Sequence, residues 1–254
     1  AGLSVLSDEG RPARHDGRVV LWGASQGGHA VYAVERYAPY YAPEFELIAA
    51  VTLIAPGDLL SQTEDAFLEY GTTARGVLIS LITLGDWYGL WPRISEVIRD
   101  DDAFPIASWL RAEMEKVCYP ELEDLGVDSL DDLFTPDFLA AVIADDWTGF
   151  EDWRCILEAT SPLSYYLPRV NDTPMLQVLS ESDTLVDLKV ERETFRQLCD
   201  SGYRIEQLVC DNAGHTEGPG WSLTEQFSWI ADRVAGLPLE NPCIAAAPTC
   251  CSET

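Results

Sequence analysis

The sequence predicts an α/β fold, in which helices cover both faces of a parallel sheet. Short apolar runs that end at Gly or Pro are typical of strands buried on both faces. Helix-like segments alternate with these runs, as crossover connections between parallel strands require. The chain has 254 residues, of which 47% are hydrophobic and 10% aromatic, so it can bury a sizeable core.

Two strands and one helix are expected near the start of the chain. The first strand covers residues 18–23 (RVVLWG), an apolar run that ends in glycine. A helix is expected from Gln26 to about Tyr37, before a second buried strand at 45–56 (FELIAAVTLIAP). The Pro-Gly-Asp sequence that closes this strand favours a turn.

The last third of the chain repeats this alternation. A third strand is expected at 174–180 (PMLQVLS) and a fourth at 204–210 (RIEQLVC). An amphipathic helix is predicted between them at 188–200, and a similar helix follows at 221–235. Four strands and their helices thus form the predicted core.

The residues between the second and third strands interrupt the alternation. Segment 58–168 holds several helix-like stretches, many carboxylates and scattered aromatic residues, but no clear strand. We therefore predict a helical cap, or lid, inserted into the core. The expected organisation is a first part of the core at 1–57, the cap at 58–168, a second part of the core at 169–238, and a tail at 239–254.

The net charge of the chain limits the classes of partner that it is expected to bind. With 43 acidic and 16 basic residues, the formal net charge is −27 at pH 7. Such a surface repels nucleic acid and anionic membranes, so neither is expected to bind. No apolar run reaches the roughly 18 residues that a membrane helix needs, so no integral membrane segment is expected. The acidity fits a saline environment and an ordinary extracellular protein equally well.

The clearest chemical motif is Gly23-Ala24-Ser25-Gln26-Gly27, a G-x-S-x-G sequence between the first strand and its helix. In this context a serine stands on a sharp strand-to-helix turn, exposed for nucleophilic attack. We expect Gly23 and Gly27 to leave room for close backbone packing at that turn. The following helix directs free N–H groups and its dipole toward a developing oxyanion. Ser25 is therefore the predicted nucleophile.

A serine nucleophile needs a base, and the chain has three histidines. His215 lies in a loop directly after the fourth strand, where an enzyme with this kind of sheet presents its base. His29 lies on the helix after Ser25, where we expect a packing role. His15 lies in a polar stretch before the first strand and is expected to be solvated. His215 is therefore the predicted base.

The acid that orients this base is expected after the third strand. Asp183 lies in the turn at the C-terminal end of that strand, where such folds gather their sites. Asp187 and Glu181 are alternatives, although they also fit ordinary helix-start or loop carboxylates. The order Ser, Asp, His along the chain is that of the α/β-hydrolase fold. No metal or nucleotide motif is found, and this chemistry needs no cofactor.

Two stretches resemble the secretory lipases related to the fungal lipase A of Candida, within the α/β-hydrolase superfamily. They are 22–59, with the S-Q-G-G-H-A and Y-A-P-E motifs, and 173–218, with the acid turn and the G-H loop. The resemblance implies the same nucleophile, acid and base. It also implies that the backbone N–H of Gln26 donates to the oxyanion.

The cysteines favour an oxidising compartment and hence a secreted or periplasmic protein. The resemblance implies a disulfide between Cys199 and Cys243. Cys118 and Cys155 are a second, weaker candidate pair. None of the seven cysteines forms a C-x₂-C metal motif. The adjacent Cys250 and Cys251 are expected to belong to the C-terminal tail and not to a metal site.

One departure from the resemblance bears on the fold. The turn at residues 23–27 is called the nucleophile elbow, and the strand that leads into it is the elbow strand. A full hydrolase of this type has several strands before its elbow, whereas only seventeen residues precede the elbow strand here. We therefore expect the chain to be the C-terminal portion of an enzyme, without the N-terminal strands and the second oxyanion donor. Loss of one such donor lowers a rate by roughly 10²–10³. A missing N-terminal segment of the same protein is accordingly an expected partner.

These observations favour a carboxylic-ester hydrolase, a lipase or a small-ester esterase, that forms an acyl-enzyme from a small-molecule or lipid ester. A peptidase or another acyl-transferring hydrolase of the same fold is the alternative, because the triad does not determine the leaving group. A non-catalytic or impaired relative of the fold is the third interpretation.

Overall fold

Five parallel strands form one sheet in the part of the chain that the computed structural model describes, which is residues 16–68, 72–101, 105–117, 127 and 129–251. They are β1 (Arg18–Ala24), β2 (Glu46–Leu53), β3 (Met175–Ser180), β4 (Ile205–Cys210) and β5 (Pro248–Thr249). Their order in the sheet is their order along the chain. The predicted parallel sheet is confirmed, with β1 at one edge of the described strands. His15 lies outside the described residues.

The first helix, α1 (Gln26–Tyr41), extends past its predicted end and contains Pro39. A proline inside a helix lacks the N–H that would bond the carbonyl four residues earlier, which is here that of Glu35. The side-chain amide of Asn171 donates to this carbonyl instead, at 3.0 Å. A residue distant in the sequence therefore satisfies the acceptor and lets the helix continue.

The segment between β2 and β3 is helical. It contains α2 (Leu59–Ala66), α3 (Thr72–Trp87), a 3₁₀ helix (Trp91–Glu96), α4 (Ile106–Met114), α5 (Leu130–Leu133), α6 (Pro136–Ile143) and α7 (Glu151–Ala159). These helices share one hydrophobic cluster, whose buried members all lie between residues 66 and 157. The segment thus buries much of its apolar surface within itself, while the cap boundaries at 58 and 168 stay predictions. No helix in the described ranges is long and apolar enough to cross a membrane.

Helices cover both faces of the sheet, as predicted. The remaining helices are α8 (Leu188–Asp200), α9 (Glu217–Trp221) and α10 (Leu223–Val234). Successive residues of a strand point to opposite faces. Ala50 and Met175 pack with α1 and α8 on one face. Val51 and Leu176 pack on the other face, with the α10 residues Trp229 and Ile230 beside them.

The helix predicted at 221–235 begins two residues later, at Leu223, because Trp221 ends the short helix α9 and the chain leaves the helical conformation at Ser222 (φ −90°, ψ 13°). The side-chain amide of Gln226 donates to the Pro219 carbonyl at 2.8 Å. In a continuous helix that carbonyl would accept a hydrogen bond from the N–H of residue 223. A side-chain hydrogen bond therefore replaces a helical one at the break.

Two disulfides attach the C-terminal tail to the core. The Cys199–Cys243 disulfide implied by the resemblance is present, with a Cα–Cα distance of 5.6 Å. A second disulfide, which was not predicted, joins Cys210 at the end of β4 to Cys251, with a Cα–Cα distance of 5.3 Å. The weaker predicted pair is not formed: Cys155 is a free, exposed thiol, and its expected partner at position 118 lies outside the described residues.

Candidate active site

Ser25 occupies the turn between β1, which ends at Ala24, and α1, which begins at Gln26. Its backbone adopts φ 53° and ψ −122°, a conformation that residues other than glycine rarely adopt. The Ser25 N–H donates to the Leu53 carbonyl of β2 at 2.8 Å, and the Ser25 carbonyl accepts the His29 N–H at 3.0 Å. The sheet and the helix therefore hold this turn from both sides.

Gly23 and Gly28 let the turn pack closely, and of these two only Gly23 was predicted to do so. A Cβ on Gly23 would lie 2.3 Å from the Gly27 carbonyl oxygen, and one on Gly28 would lie 2.6 Å from the Cβ of Ala55. A Cβ on Gly27 would meet none of the described atoms within 4 Å outside its own helix. The room expected for close packing at Gly27 stays a prediction. Gly28 is the residue that approaches the segment after β2.

The structure brings Ser25, His215 and Asp183 together from three separate loops. His215 Nε2 lies 3.0 Å from Ser25 Oγ. The other ring nitrogen, Nδ1, lies 3.0 and 2.9 Å from the two carboxylate oxygens of Asp183. Because a carboxylate only accepts hydrogen bonds, Nδ1 carries the proton and the Nε2 lone pair faces the serine hydroxyl. In this arrangement a histidine can take a proton from a serine.

The turn after β3 holds the Asp183 carboxylate in place. Its Oδ1 accepts the backbone N–H of Leu185 at 2.8 Å and that of Val186 at 3.0 Å. The Asp183 side chain is 3% exposed, and that of His215 is 14% exposed. Hydrogen bonds from backbone and imidazole therefore compensate for the burial of the carboxylate and fix its orientation.

The two alternative acids lie in other environments. Asp187 is the N-cap of α8, and its Oδ1 accepts the Val190 N–H at 2.8 Å. The Glu181 carboxylate accepts the backbone N–H of Asn212 at 3.1 Å, and this hydrogen bond holds its pKa below the ordinary value. Neither carboxylate forms a hydrogen bond with the His215 ring, whose Nδ1 is bonded to Asp183, so Asp187 has a helix-start role and Glu181 a loop role.

The backbone N–H of Gln26 has no acceptor within its own helix. Gln26 is the first residue of α1, and the first four N–H groups of a helix lack an intrahelical partner. The positive end of the helix dipole lies at the same place. A negative charge that develops next to Ser25 is therefore stabilised by the start of α1.

A cavity of about 540 Å³ lies beside Ser25. The start of α1, helices α2 and α3, and the turn that contains Leu185 and Val186 all contribute to its wall. Apolar side chains of α3 and α4 form much of it, among them Val77, Leu84 and Met114. Its volume is in the range of sites that bind small organic molecules. The helical segment therefore supplies most of the wall that the elbow serine faces.

His29 is not part of the Ser25–His215 pair, but it lines the same cavity. Its Nδ1 lies 2.6 Å from the carbonyl oxygen of Pro56. Burial lowers the pKa of this ring below its ordinary value, so the neutral form is favoured. The packing role expected for His29 thus includes a hydrogen bond that attaches α1 to the loop after β2.

Sequence reasoning missed Glu191, which is completely buried beside the site. Its Oε1 accepts the N–H of Gly57 at 2.8 Å and the side-chain amide of Gln62 at 3.0 Å. Burial raises the pKa of this carboxyl to about 8. The Gln62 side chain also accepts the Asp187 N–H at 3.0 Å, so it links α2 to the turn that carries the acid. The signal in the sequence is helical spacing, which puts Glu191 on the same face as the buried Phe195.

The comparison with protein families gives one match. The sequence profile of the Secretory lipase family matches residues 7–72, a stretch that includes β1, the Ser25 turn, α1 and β2. The resemblance to secretory lipases that the sequence motifs indicated is thereby confirmed. Among curated protein sequences, none matches the chain.

Solved structures share the fold at low sequence identity. A rice cell wall degrading esterase from Xanthomonas oryzae matches 86% of this chain and 58% of its own, with 19% identity and a TM-score of 0.59. A putative hydrolase from Legionella pneumophila matches 89% and 58%, with 16% identity and a TM-score of 0.68. Candida antarctica lipase A in its closed state matches 92% and 52%, with 18% identity and a TM-score of 0.59.

These similarities confirm the α/β-hydrolase fold. The chain spans between about half and three fifths of the length of the solved structures that it matches.

Proposed function

We propose that the chain carries the nucleophile, base and acid of a carboxylic-ester hydrolase of the lipase or carboxylesterase type. One observation carries the proposal: hydrogen bonds connect Ser25 Oγ through the His215 ring to the Asp183 carboxylate. The cavity beside Ser25 and the similarity to secretory lipases support a small-molecule or lipid ester as the substrate.

In the first half-reaction, Ser25 Oγ attacks the ester carbonyl carbon while His215 Nε2 takes the hydroxyl proton. The carbonyl electron pair moves to oxygen, and the N–H of Gln26 donates a hydrogen bond to the resulting oxyanion. The bond to the alcohol oxygen then breaks, and the imidazolium gives its proton to the leaving oxygen. The products are a free alcohol and an acyl-enzyme on Ser25.

In the second half-reaction, a water molecule attacks the acyl carbon and gives a proton to His215 Nε2. The tetrahedral intermediate collapses, the carboxylic acid leaves, and the imidazolium returns the proton to Ser25 Oγ. Asp183 stays ionised throughout. It keeps the His215 proton on Nδ1 and stabilises the imidazolium formed in each step.

The proposed compartment is outside the cytoplasm, secreted or periplasmic. Two disulfides and the similarity to secretory lipases support this assignment, because disulfides persist in oxidising compartments.

Labelling with a fluorophosphonate, which reacts with activated serines, tests the nucleophile. We expect the wild-type protein to be labelled at Ser25. The Ser201→Ala variant is the control and should be labelled equally, because Ser201 is an exposed serine at the end of α8, outside the site. The Ser25→Ala variant should not react. Absence of labelling in protein whose circular dichroism shows it to be folded would contradict the proposal.

Matched substrates test the leaving group. A p-nitrophenyl ester and the p-nitroanilide of the same acyl group differ only in the bond that is cleaved. We expect Ser25-dependent turnover of the ester to exceed that of the anilide. A preference for the anilide would instead support a peptidase of the same fold.

A further inference from the structure

The cavity beside Ser25 presents an unused hydrogen-bond acceptor. A carbonyl oxygen cannot donate, so the 2.6 Å contact with Pro56 requires that His29 Nδ1 carries the proton. The lone pair is then on Nε2, which has no hydrogen-bond partner among the described residues. Both His29 and Ser25 line the cavity, and the His29 N–H donates to the Ser25 carbonyl at 3.0 Å, so the two residues lie close together.

The hydroxyl groups in the cavity wall also present acceptors. Thr63 donates to the Leu59 carbonyl at 2.7 Å, and Ser80 donates to the Gly76 carbonyl at 2.9 Å. Thr83 donates in the same way within its own helix, at 2.9 Å. Because a hydroxyl has one proton and two lone pairs, each of these oxygens can still accept a hydrogen bond from a ligand.

The wall contains no charged side chain among the described residues that line it. The amide of Gln62 is already bonded to Glu191 and to the Asp187 backbone. A carboxylate or phosphate would meet lone pairs without a compensating cation, so an anionic group is disfavoured. The chemistry that fits is a neutral, mainly apolar group that carries hydroxyl donors.

We propose that this cavity binds a hydroxylated acyl group and that His29 Nε2 accepts a hydrogen bond from its hydroxyl. The inference rests on the proposed ester hydrolysis and specifies the substrate class. An unsubstituted acyl chain would displace water from Nε2 and leave that acceptor unpaired. A hydroxyl close to the carbonyl satisfies it, because His29 lines the same cavity as the nucleophile and its backbone is hydrogen-bonded to that of Ser25.

Two p-nitrophenyl esters of equal chain length test the specificity: the hexanoate and the 3-hydroxyhexanoate. We expect kcat/KM for the hydroxylated ester to be roughly tenfold higher. In the His29→Asn variant the shorter amide can still donate to the Pro56 carbonyl but has no acceptor at the Nε2 position, so the preference should fall to about one. The matched control is Thr160→Val, which removes a hydroxyl bonded to the Leu157 carbonyl outside the cavity and should keep the preference.

A binding measurement keeps this inference separate from the proposed function. In the Ser25→Ala variant labelled with ¹⁵N-histidine, methyl 3-hydroxyhexanoate should shift the His29 Nε2 resonance, and methyl hexanoate should not. Equal responses to the two esters, or a wild-type preference for the hexanoate, would overturn the role of His29. Failure of Ser25-dependent turnover together with a selective Nε2 shift would contradict the hydrolase and retain the hydroxyl site.

Discussion

Glu191 should make the stability of this protein depend on pH in a way that one substitution removes. Its side chain has no exposed surface, and its Oε2 has no hydrogen-bond partner in the described structure. Burial raises its pKa from 4.5 to about 8, and the nearby Asp58 and Asp187 act in the same direction. The hydrogen bonds from Gly57 and Gln62 act in the opposite direction but are too weak to restore the ordinary pKa.

The sign follows from the raised pKa. The folded protein favours the neutral acid, so the contribution of Glu191 to stability is complete below pH 4.5 and is lost as the pH rises to about 8. A pKa moved from 4.5 to about 8 corresponds to a loss of at most about 5 kcal/mol between those limits. Above pH 8 the loss is complete, and the slope returns to zero.

The substitution Glu191→Gln replaces the titrating group by a neutral amide of the same shape. Its Oε1 can still accept from Gly57 and Gln62, while its NH₂ takes the place of the unpartnered oxygen at a pH-independent cost of about 1–3 kcal/mol. We expect urea unfolding at constant ionic strength to show a less stable variant at pH 5. The difference should shrink as the pH rises and change sign by pH 9.

The exposed neighbour Glu193 provides the control. Its hydrogen bonds with Arg196 hold its pKa at about 2, so Glu193→Gln should shift the unfolding free energy equally at every pH from 5 to 9. A difference between wild type and Glu191→Gln that is constant over the same range would refute the reasoning. It would mean that Glu191 is ionised in the folded protein or reached by water.

Three further predictions concern the site and its supports. Asp183→Asn should lower kcat on a p-nitrophenyl ester by about 10⁴, because the amide favours the wrong His215 tautomer; an unchanged kcat would remove Asp183 from the mechanism. Gly27→Ala should leave the melting temperature unchanged or raise it, whereas Gly28→Ala should cost about 1–3 kcal/mol of stability because its Cβ would meet that of Ala55; the reverse order would contradict the elbow packing. Removal of the Cys210–Cys251 disulfide by Cys210→Ala should cost about 4 kcal/mol, given the sequence separation of 41 between the two cysteines, whereas substitution of the free Cys250 should have little effect in the same denaturation assay.

Local patterns in the sequence were sufficient for the four main strands and for the residues that meet at Ser25. The apolar run 18–23 forms β1, although the strand is only partly buried in the described structure and not fully buried as expected: Trp22 is 50% exposed, and the glycine after it marks the turn before α1. Asp183 and His215 could be selected because each follows a strand of a parallel sheet. The ends of such strands converge on one edge, so sequence position alone brings these side chains close together.

The errors concern residues whose partners are distant in the sequence. The end of α1 depends on Asn171, which supplies the hydrogen bond that Pro39 cannot make. The glycine with the closest packing to another segment is Gly28, because its neighbour Ala55 comes from the segment after β2. The second disulfide depends on the tail returning to pair with β4. Propensity and spacing carry no information about such contacts.

The backbone conformation of Ser25 means that selection for thermal stability and selection for catalytic turnover favour different residues at this position. A serine held at φ 53° costs on the order of 1–3 kcal/mol, and glycine would adopt this conformation without that cost. Ser25→Gly therefore removes the strain and the nucleophile in one step. A laboratory evolution that screens only for survival of heat will enrich glycine here, so thermal selection of this protein has to be paired at every round with a screen for turnover.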